Sequence, residues 1–367
     1  MNGTKLSRML ALPAAVVLSL GLAACGSSNE SDDEAGSGES GGSKLSGTIS
    51  GAGASSQDAA QQAWMAGFIE ANPDVTVNYD PIGSGGGREQ FVEGGSDFGG
   101  TDAYLDEEEL AGAEKRCEKV IEIPTYVSPI AVIFNVEGVD ELNLKPDTIA
   151  RIFDQKITKW NDEAIAADNP DADLPDTAIS PVNRSDESGT TENFVEYLKA
   201  VSPDNWSHEV SGDWPVDGGE AAQGTSGVVQ AVTNGNGTIG YADASQAGDL
   251  GTVKVGVGEE FVEYSPEAAA KVVEVSERVE GRGEFDFAYD LARDTTESGA
   301  YPIVLVSYAM ACGTYDNAET AELVKGYLDY MVSEEGQNAA AESAGSAPIS
   351  DSLREQVQPA IDAISAG

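Results

Sequence analysis

Three stretches of the chain repeat one layout: a β-type run, a turn of glycine and hydroxyl residues, then a helical pattern. They are Gly51-Ala52-Gly53-Ala54-Ser55-Ser56-Gln57 before the Asp58–Glu70 pattern, Ile82-Gly83-Ser84-Gly85-Gly86-Gly87 before Arg88–Val92, and Arg184-Ser185-Asp186-Glu187-Ser188-Gly189-Thr190 before Thr191–Ala200. A helix N-terminus leaves unpaired N–H groups and the positive end of the dipole, so Ser, Thr and Gly there make a place for an anion with several oxygens. One such turn is usually an ordinary N-cap. Three of them, on strands whose carboxyl ends bring the turns together, point to an α/β architecture with a crevice for a small anion. Arg184 is the base inside these turns, and its guanidinium fork suits an oxyanion or the neighbouring Asp186.

The remaining pattern agrees. Strand-like runs occur at Gly47–Gly51, Val75–Tyr79, Ile130–Val136, Ala178–Val182, Thr238–Tyr241 and Ile303–Tyr308. Helical patterns occur at Gln57–Glu70, Glu107–Ala113, Pro146–Phe153, Thr191–Ala200, Pro266–Glu280, Asn317–Val332 and Ser350–Ala363, while 281–300 is polar and poorly periodic. The alternation predicts mostly parallel sheets flanked by helices, and 367 residues argue for two domains.

The formal charge is −44, from 20 Lys and Arg against 64 Asp and Glu. Nucleic acid and anionic membrane surfaces are disfavoured as partners, because both are held by clustered bases. No Gly-rich loop is followed by Lys-Ser or Lys-Thr, so there is no Walker A site. The Gly-x-Ser-x-Gly at Gly38–Gly42 lies in a segment too polar to build a nucleophile elbow. His208 is the single histidine, which excludes His-based metal clusters and leaves a Ser-His-Asp site dependent on a residue that reads as solvated surface. Asp171–Asp176 begins like a calcium loop but lacks its Gly and final Glu. No cofactor or metal is expected.

Lys5 and Arg8 precede an apolar run, Met9–Ala24, that is short for a membrane span and has the layout of an export signal. It ends in Leu22-Ala23-Ala24-Cys25, which resembles the bacterial lipoprotein processing box, with Cys25 the lipidated first residue. Residues 1–24 would then be a signal peptide and 25–44 a lipidated tether. Eleven of the nineteen residues 26–44 are Gly or Ser, giving a random-coil reach of ~25 Å. The body from Leu45 keeps 59 acids against 17 bases. Export leaves Cys117 and Cys312, which are either two separate buried thiols or a disulfide whose large loop adds roughly 3–5 kcal/mol of stability.

The turns GAGAS (51–55), GSGGG (83–87), DFGGTD (97–102) and RSDESGTT (184–191), in this order and spacing, resemble the phosphate-binding component of bacterial phosphate ABC transporters. The likeness continues through Ile152-Phe153, 157–165 and 237–241. It implies a two-lobed, type II-like periplasmic-binding fold joined by a two-segment hinge, closing on one phosphate. The lobes would be 45–125 plus 303–367, and 126–302, with both remaining cysteines in the first. Carried over position by position, the resemblance implies Ala54, Ser55, Ser56, Ser84 and Asp102 from one lobe. Arg184, Asp186, Ser188, Gly189 and Thr190 come from the other, with Asp186 orienting Arg184. Ser56 replaces an aromatic residue common in the family, and Glu187 stands where Gly is common.

The expected function is extracytoplasmic phosphate binding by a monomer anchored through Cys25 to the outer face of the cell membrane. Ligand would pass to the permease subunits of an ABC transporter, with no catalysis. The alternatives are another tetrahedral oxyanion of the sulfate or molybdate class, a secreted phosphatase or esterase, or an adhesive lipoprotein without a ligand. Asp102 separates the first pair: a carboxylate facing an oxyanion is repulsive unless the ligand brings a proton to share, as phosphate does at neutral pH and sulfate does not.

Overall fold

A computed structural model describes residues 45–139 and 141–367. The expected signal peptide, Cys25 and the tether lie outside the described residues. The body opens with β1 (Ser46–Gly53), a single 3-10 turn at Ser55–Gln57, α1 (Asp58–Ala71) and β2 (Asp74–Asp80), with β1 and β2 parallel. α2 (Ser84–Glu93) leads to β3 (Phe98–Thr101), parallel to β1 on its other edge. α3 (Glu107–Cys117) starts with a capping box, in which the Asp106 carboxylate accepts from the Glu109 N–H and the Glu109 carboxylate accepts from the Asp106 N–H. Asp106 caps this helix, which leaves Asp102 free for another task.

β4 (Val120–Asn135) crosses the whole molecule. The second half contains β5 (Leu142–Leu144), α4 (Pro146–Phe153), α5 (Glu163–Asp168), β6 (Ser180–Arg184), α6 (Gly189–Val201), β7 (Glu220–Ala222), α7 (Gly224–Asn234), β8 (Thr238–Asp243), β9 (Gly251–Val257) and β10 (Glu260–Val262). After α8 (Pro266–Glu274), a short antiparallel pair, β11 (Glu277–Arg278) and β12 (Tyr289–Asp290), precedes the long return strand β13 (Val304–Cys312). The chain ends in α9 (Ala318–Val332), α10 (Glu334–Ala344) and α11 (Asp351–Asp362).

The main sheet runs β2-β1-β3-β13-β4-β8-β6-β7. Its outer strands are parallel, as the alternating pattern predicts, but β13 and β4 pair antiparallel with each other and with their outer neighbours β3 and β8. The sheet is therefore mixed, since the chain crosses between halves on two strands of opposite direction. β4 pairs with β13 from Val120 to Pro129 and with β8 from Ile130 to Asn135. Only the second stretch reads as a strand in sequence, because Pro124 and Pro129 look like breakers. The structure places Pro124 beside a register shift opposite Ser307/Tyr308 and Pro129 where β4 changes partner, positions at which a missing N–H is tolerated. α8 ends six residues before the expected Glu280, because Glu277 and Arg278 pair with Asp290 and Tyr289 instead.

Cys117 and Cys312 form a disulfide, joining the end of α3 to the end of β13 across 195 positions. Reducing it, or replacing both cysteines by serine, should lower unfolding free energy by about 3–5 kcal/mol, read from urea melts with and without reductant.

The polar stretch 281–300 is anchored by its arginines. Arg282 donates to Glu122 Oε2 at 3.0 Å and to Asp286 Oδ2 at 2.7 Å, and the Leu105 N–H reaches Glu122 Oε1 at 3.0 Å. Glu122 is fully buried, and burial together with the Asp286 charge pushes its carboxyl up to about 8, against Arg282. Because the unfolded chain ionises this group near 4.5, folding takes up a proton between the two values. Stability should fall as pH rises across that window, and Glu122→Gln should flatten the slope in melts run as a pH series.

Candidate functional site

The first three turns meet at the carboxyl ends of β1 and β3. Gly53 and Ala54 close against β3, with the Ala54 N–H on Gly100 O at 2.9 Å and the Ala54 carbonyl accepting from Tyr79 at 3.0 Å. Both polar groups of Ala54 are thus engaged behind the turn, whereas Ser55 and Ser56 carry their hydroxyls forward from the 3-10 turn. Gly83 holds φ +102° to aim the start of α2, which puts Ser84 at the first helical position. The Ser84 Oγ accepts from the Asp102 N–H at 3.1 Å.

Asp102 is the centre of the arrangement and is 3% exposed. Its carboxylate accepts from Ser56 Oγ at 2.8 and 2.7 Å, from Thr190 Oγ1 at 3.1 Å, and from Ser307 Oγ. Burial raises its pKa above the ordinary carboxylate value, opposed by the hydroxyls of Ser307, Ser56 and Thr190, which favour the ionised form, and by the Arg184 charge.

The facing half contributes the end of β6 and the start of α6. Ser188 caps α6 by accepting from the Thr191 N–H at 3.3 Å, so it acts as an N-cap while standing in the crevice. Gly189 comes so close to the first half that an added Cβ would lie 2.7 Å from Asp102 Cβ and 2.7 Å from Ser84 Oγ. Arg184 is 3% exposed and forms a two-pronged pair with Asp186, Nε to Oδ1 at 2.8 Å and Nη2 to Oδ2 at 2.5 Å. Partial burial works against the Asp186 charge, but Arg184 and the Gly224 N–H outweigh it and hold the carboxyl below its usual range. Asp186 is thus placed to fix the guanidinium plane.

The structure therefore gathers the named turns into one crevice, with Ala54 behind it. It also adds residues that sequence reading missed. Thr225, at the start of α7, bonds Ser55 through its Oγ1 at 3.1 Å and its N–H at 3.2 Å. The signal was present in Gly224-Thr225-Ser226-Gly227, the same small-hydroxyl turn before a helix, but β7 is too short to announce itself. Gln57 donates to Ser307 Oγ at 2.7 Å, and Asn193 donates to Asp102 O and Gly189 O, both at 2.8 Å. Ser307 had no local signal, because it belongs to an apolar strand and becomes relevant only through the β13–β3 pairing. His208 lies elsewhere, 28% exposed, with Nε2 2.8 Å from Asp154 Oδ1.

Comparisons with known proteins agree with this fold. A family model described as a PBP superfamily domain matches residues 38–335. Phosphate-binding protein PstS 3 of Mycobacterium leprae is 35% identical over 94% of this chain and 95% of its own. Phosphate-binding protein PstS 3 of Mycobacterium tuberculosis is 34% identical over 86% of each. The structure of a phosphate-binding protein from Stenotrophomonas maltophilia superposes with a TM-score of 0.65 at 19% identity, covering 86% of this chain and 94% of that one, which carries the fold. The chain belongs to the PBP superfamily, with its two-lobed α/β fold, and within it to the family of PstS phosphate-binding proteins.

Proposed function

We propose that the protein captures inorganic phosphate between its two lobes outside the cell membrane and hands it to the permease subunits of an ABC transporter. The observation that carries this reading is the buried Asp102 carboxylate, ringed by hydroxyls from both halves beside the N-termini of α2 and α6. Helix N–H groups, Ser and Thr hydroxyls and the Arg184 fork supply donors for four oxygens. Asp102 takes the one proton that phosphate retains. Sulfate has none to offer and would leave two acceptors facing each other in a dry site, a mismatch worth several kcal/mol.

In this reading, Ser55, Ser56, Ser84 and Asp102 bind from the first lobe and Arg184, Ser188, Gly189 and Thr190 from the second, with Asp186 orienting Arg184. The lobes are 45–125 plus 303–367, and 126–302, with closure about β4 and β13. β4 changes partner from β13 to β8 at Pro129/Ile130, a few residues past that proposed boundary. The protein works as a monomer held at the outer face of the membrane by lipidated Cys25. Among the described residues no helix is long and apolar enough to cross a membrane. In this reading the protein binds without turnover, and the single histidine, His208, stands apart from the crevice, engaged with Asp154.

Isothermal calorimetry tests the reading. The protein should bind phosphate and not sulfate, and equal affinity for both would overturn it. Asp102→Asn should bring sulfate affinity to within about tenfold of phosphate, by replacing an obligatory acceptor with an amide that also donates. Arg184→Ala should weaken phosphate binding about 10- to 100-fold, as expected for loss of a charged hydrogen-bond donor, and should also lower the melting temperature in the absence of phosphate by stranding Asp186, so titrations are run where both proteins are folded.

A further inference from the structure

The turn that carries Asp186 and Ser188 also carries Glu187, whose carboxylate leaves its own lobe and lands on the other. Glu187 Oε1 is 2.8 Å from Arg88 Nη2, in the second turn of α2. Arg88 is itself held in place: Nε donates to Glu109 Oε1 at 2.8 Å and Nη1 to Thr101 Oγ1 at 3.2 Å. Its side chain is 6% exposed, against 49% for Glu187. The guanidinium is thus anchored to the first lobe by two of its nitrogens, leaving the third for the second lobe.

The backbone around this pair allows the approach. A Cβ on Gly85 would lie 2.4 Å from the Glu187 carboxyl carbon, and one on Gly83 would lie 2.7 Å from Asp186 Oδ2. Glycine at 83 and 85 therefore lets the second-lobe turn sit directly on the first turn of α2. From behind, Gly212 lies under Glu187, where a Cβ would be 2.9 Å from its Cγ, and the Ser188 N–H donates to Gly212 O at 3.0 Å. The side chain is therefore aimed across the gap by its own lobe.

We infer that Glu187 and Arg88 form a latch between the lobes that holds the binding protein closed and sets how fast ligand leaves. Glu187 is a positioning residue: it lies between Asp186 and Ser188, so docking it on Arg88 places that turn against Ser84 and Asp102. The pair forms only when the lobes meet, so its free energy enters the closed state alone. A half-exposed pair on a buried, preoriented arginine is worth about a 3- to 10-fold change in the closed-to-open ratio. This inference rests on the phosphate reading for its ligand, whereas the closure itself is measured separately.

The test compares the wild type with Glu187→Gln, which removes the charge at a half-exposed position, and with Arg88→Lys. Lysine keeps a cation for Glu109 but lacks the fork that reaches Glu109, Thr101 and Glu187 together. Stopped-flow phosphate binding should show the dissociation rate rising about 3- to 10-fold in each variant, with association within about twofold, and no further rise in the double variant. Small-angle X-ray scattering without added phosphate should show a larger radius of gyration for Glu187→Gln than for wild type. An unchanged or slower dissociation rate in Glu187→Gln would overturn the latch; tighter binding would show instead that the carboxylate repels the ligand. If the wild type failed to bind phosphate, the proposed ligand would fall. Scattering alone would then decide the latch, and equal radii for wild type and Glu187→Gln would overturn it.

Discussion

The Asp102 carboxylate is the point on which both halves of the molecule converge. It receives hydroxyls from Ser56 beside β1, Thr190 on α6 and Ser307 on β13, three elements far apart in the chain. A charge with 3% exposure is costly to bury unless it is satisfied, and each of these donors recovers part of that cost. The β13–β3 pairing brings Ser307 to it, the closed crevice brings Thr190, and the β1 turn brings Ser56. Loosening any of the three leaves a desolvated carboxylate short of partners, so the geometry of the crevice and the closure of the lobes are tied to the same residue.

The strongly acidic body is compatible with an anionic ligand because the two act over different distances. The body carries 59 acids against 17 bases, and at physiological salt its field is screened beyond roughly 8–10 Å. In the proposed site the sign is reversed at contact range by helix N–H groups, hydroxyls and Arg184. Arginine is spent sparingly, and each buried one has fixed partners: Arg88 with Glu109 and Glu187, Arg184 with Asp186, Arg282 with Glu122 and Asp286, Arg293 with Glu196. Of these pairs, Arg88–Glu187 and Arg282–Glu122 join segments from different halves.

Much of the local structure was legible. α4 spans Pro146–Phe153 as its pattern predicts, because Pro146 at the first helical position and a clean apolar stripe leave little ambiguity. The three turns were legible for a similar reason, since Gly and Ser before a helix have a specific backbone role. The first half of β4 was not, because two prolines mask a strand whose pairing tolerates them. The share of antiparallel pairing was also hidden, since strand direction depends on which neighbour is chosen and not on the strand's own composition.

By itself, then, the sequence determined the alternating α/β pattern, the glycine- and hydroxyl-rich turns before helices, the acidic identity at position 102 and the pairing capacity of Cys117 and Cys312. These follow from local propensity and from functional groups that keep their chemistry wherever they are placed. Only the tertiary structure decided that Ser307, Thr225 and Asn193 join the crevice, that β4 and β13 are the crossings, and that Glu187 reaches Arg88. Those side-chain contacts link residues 91 to 205 positions apart. A hydrogen bond or ion pair at that separation exists only once the sheet has chosen its order and the two halves have met.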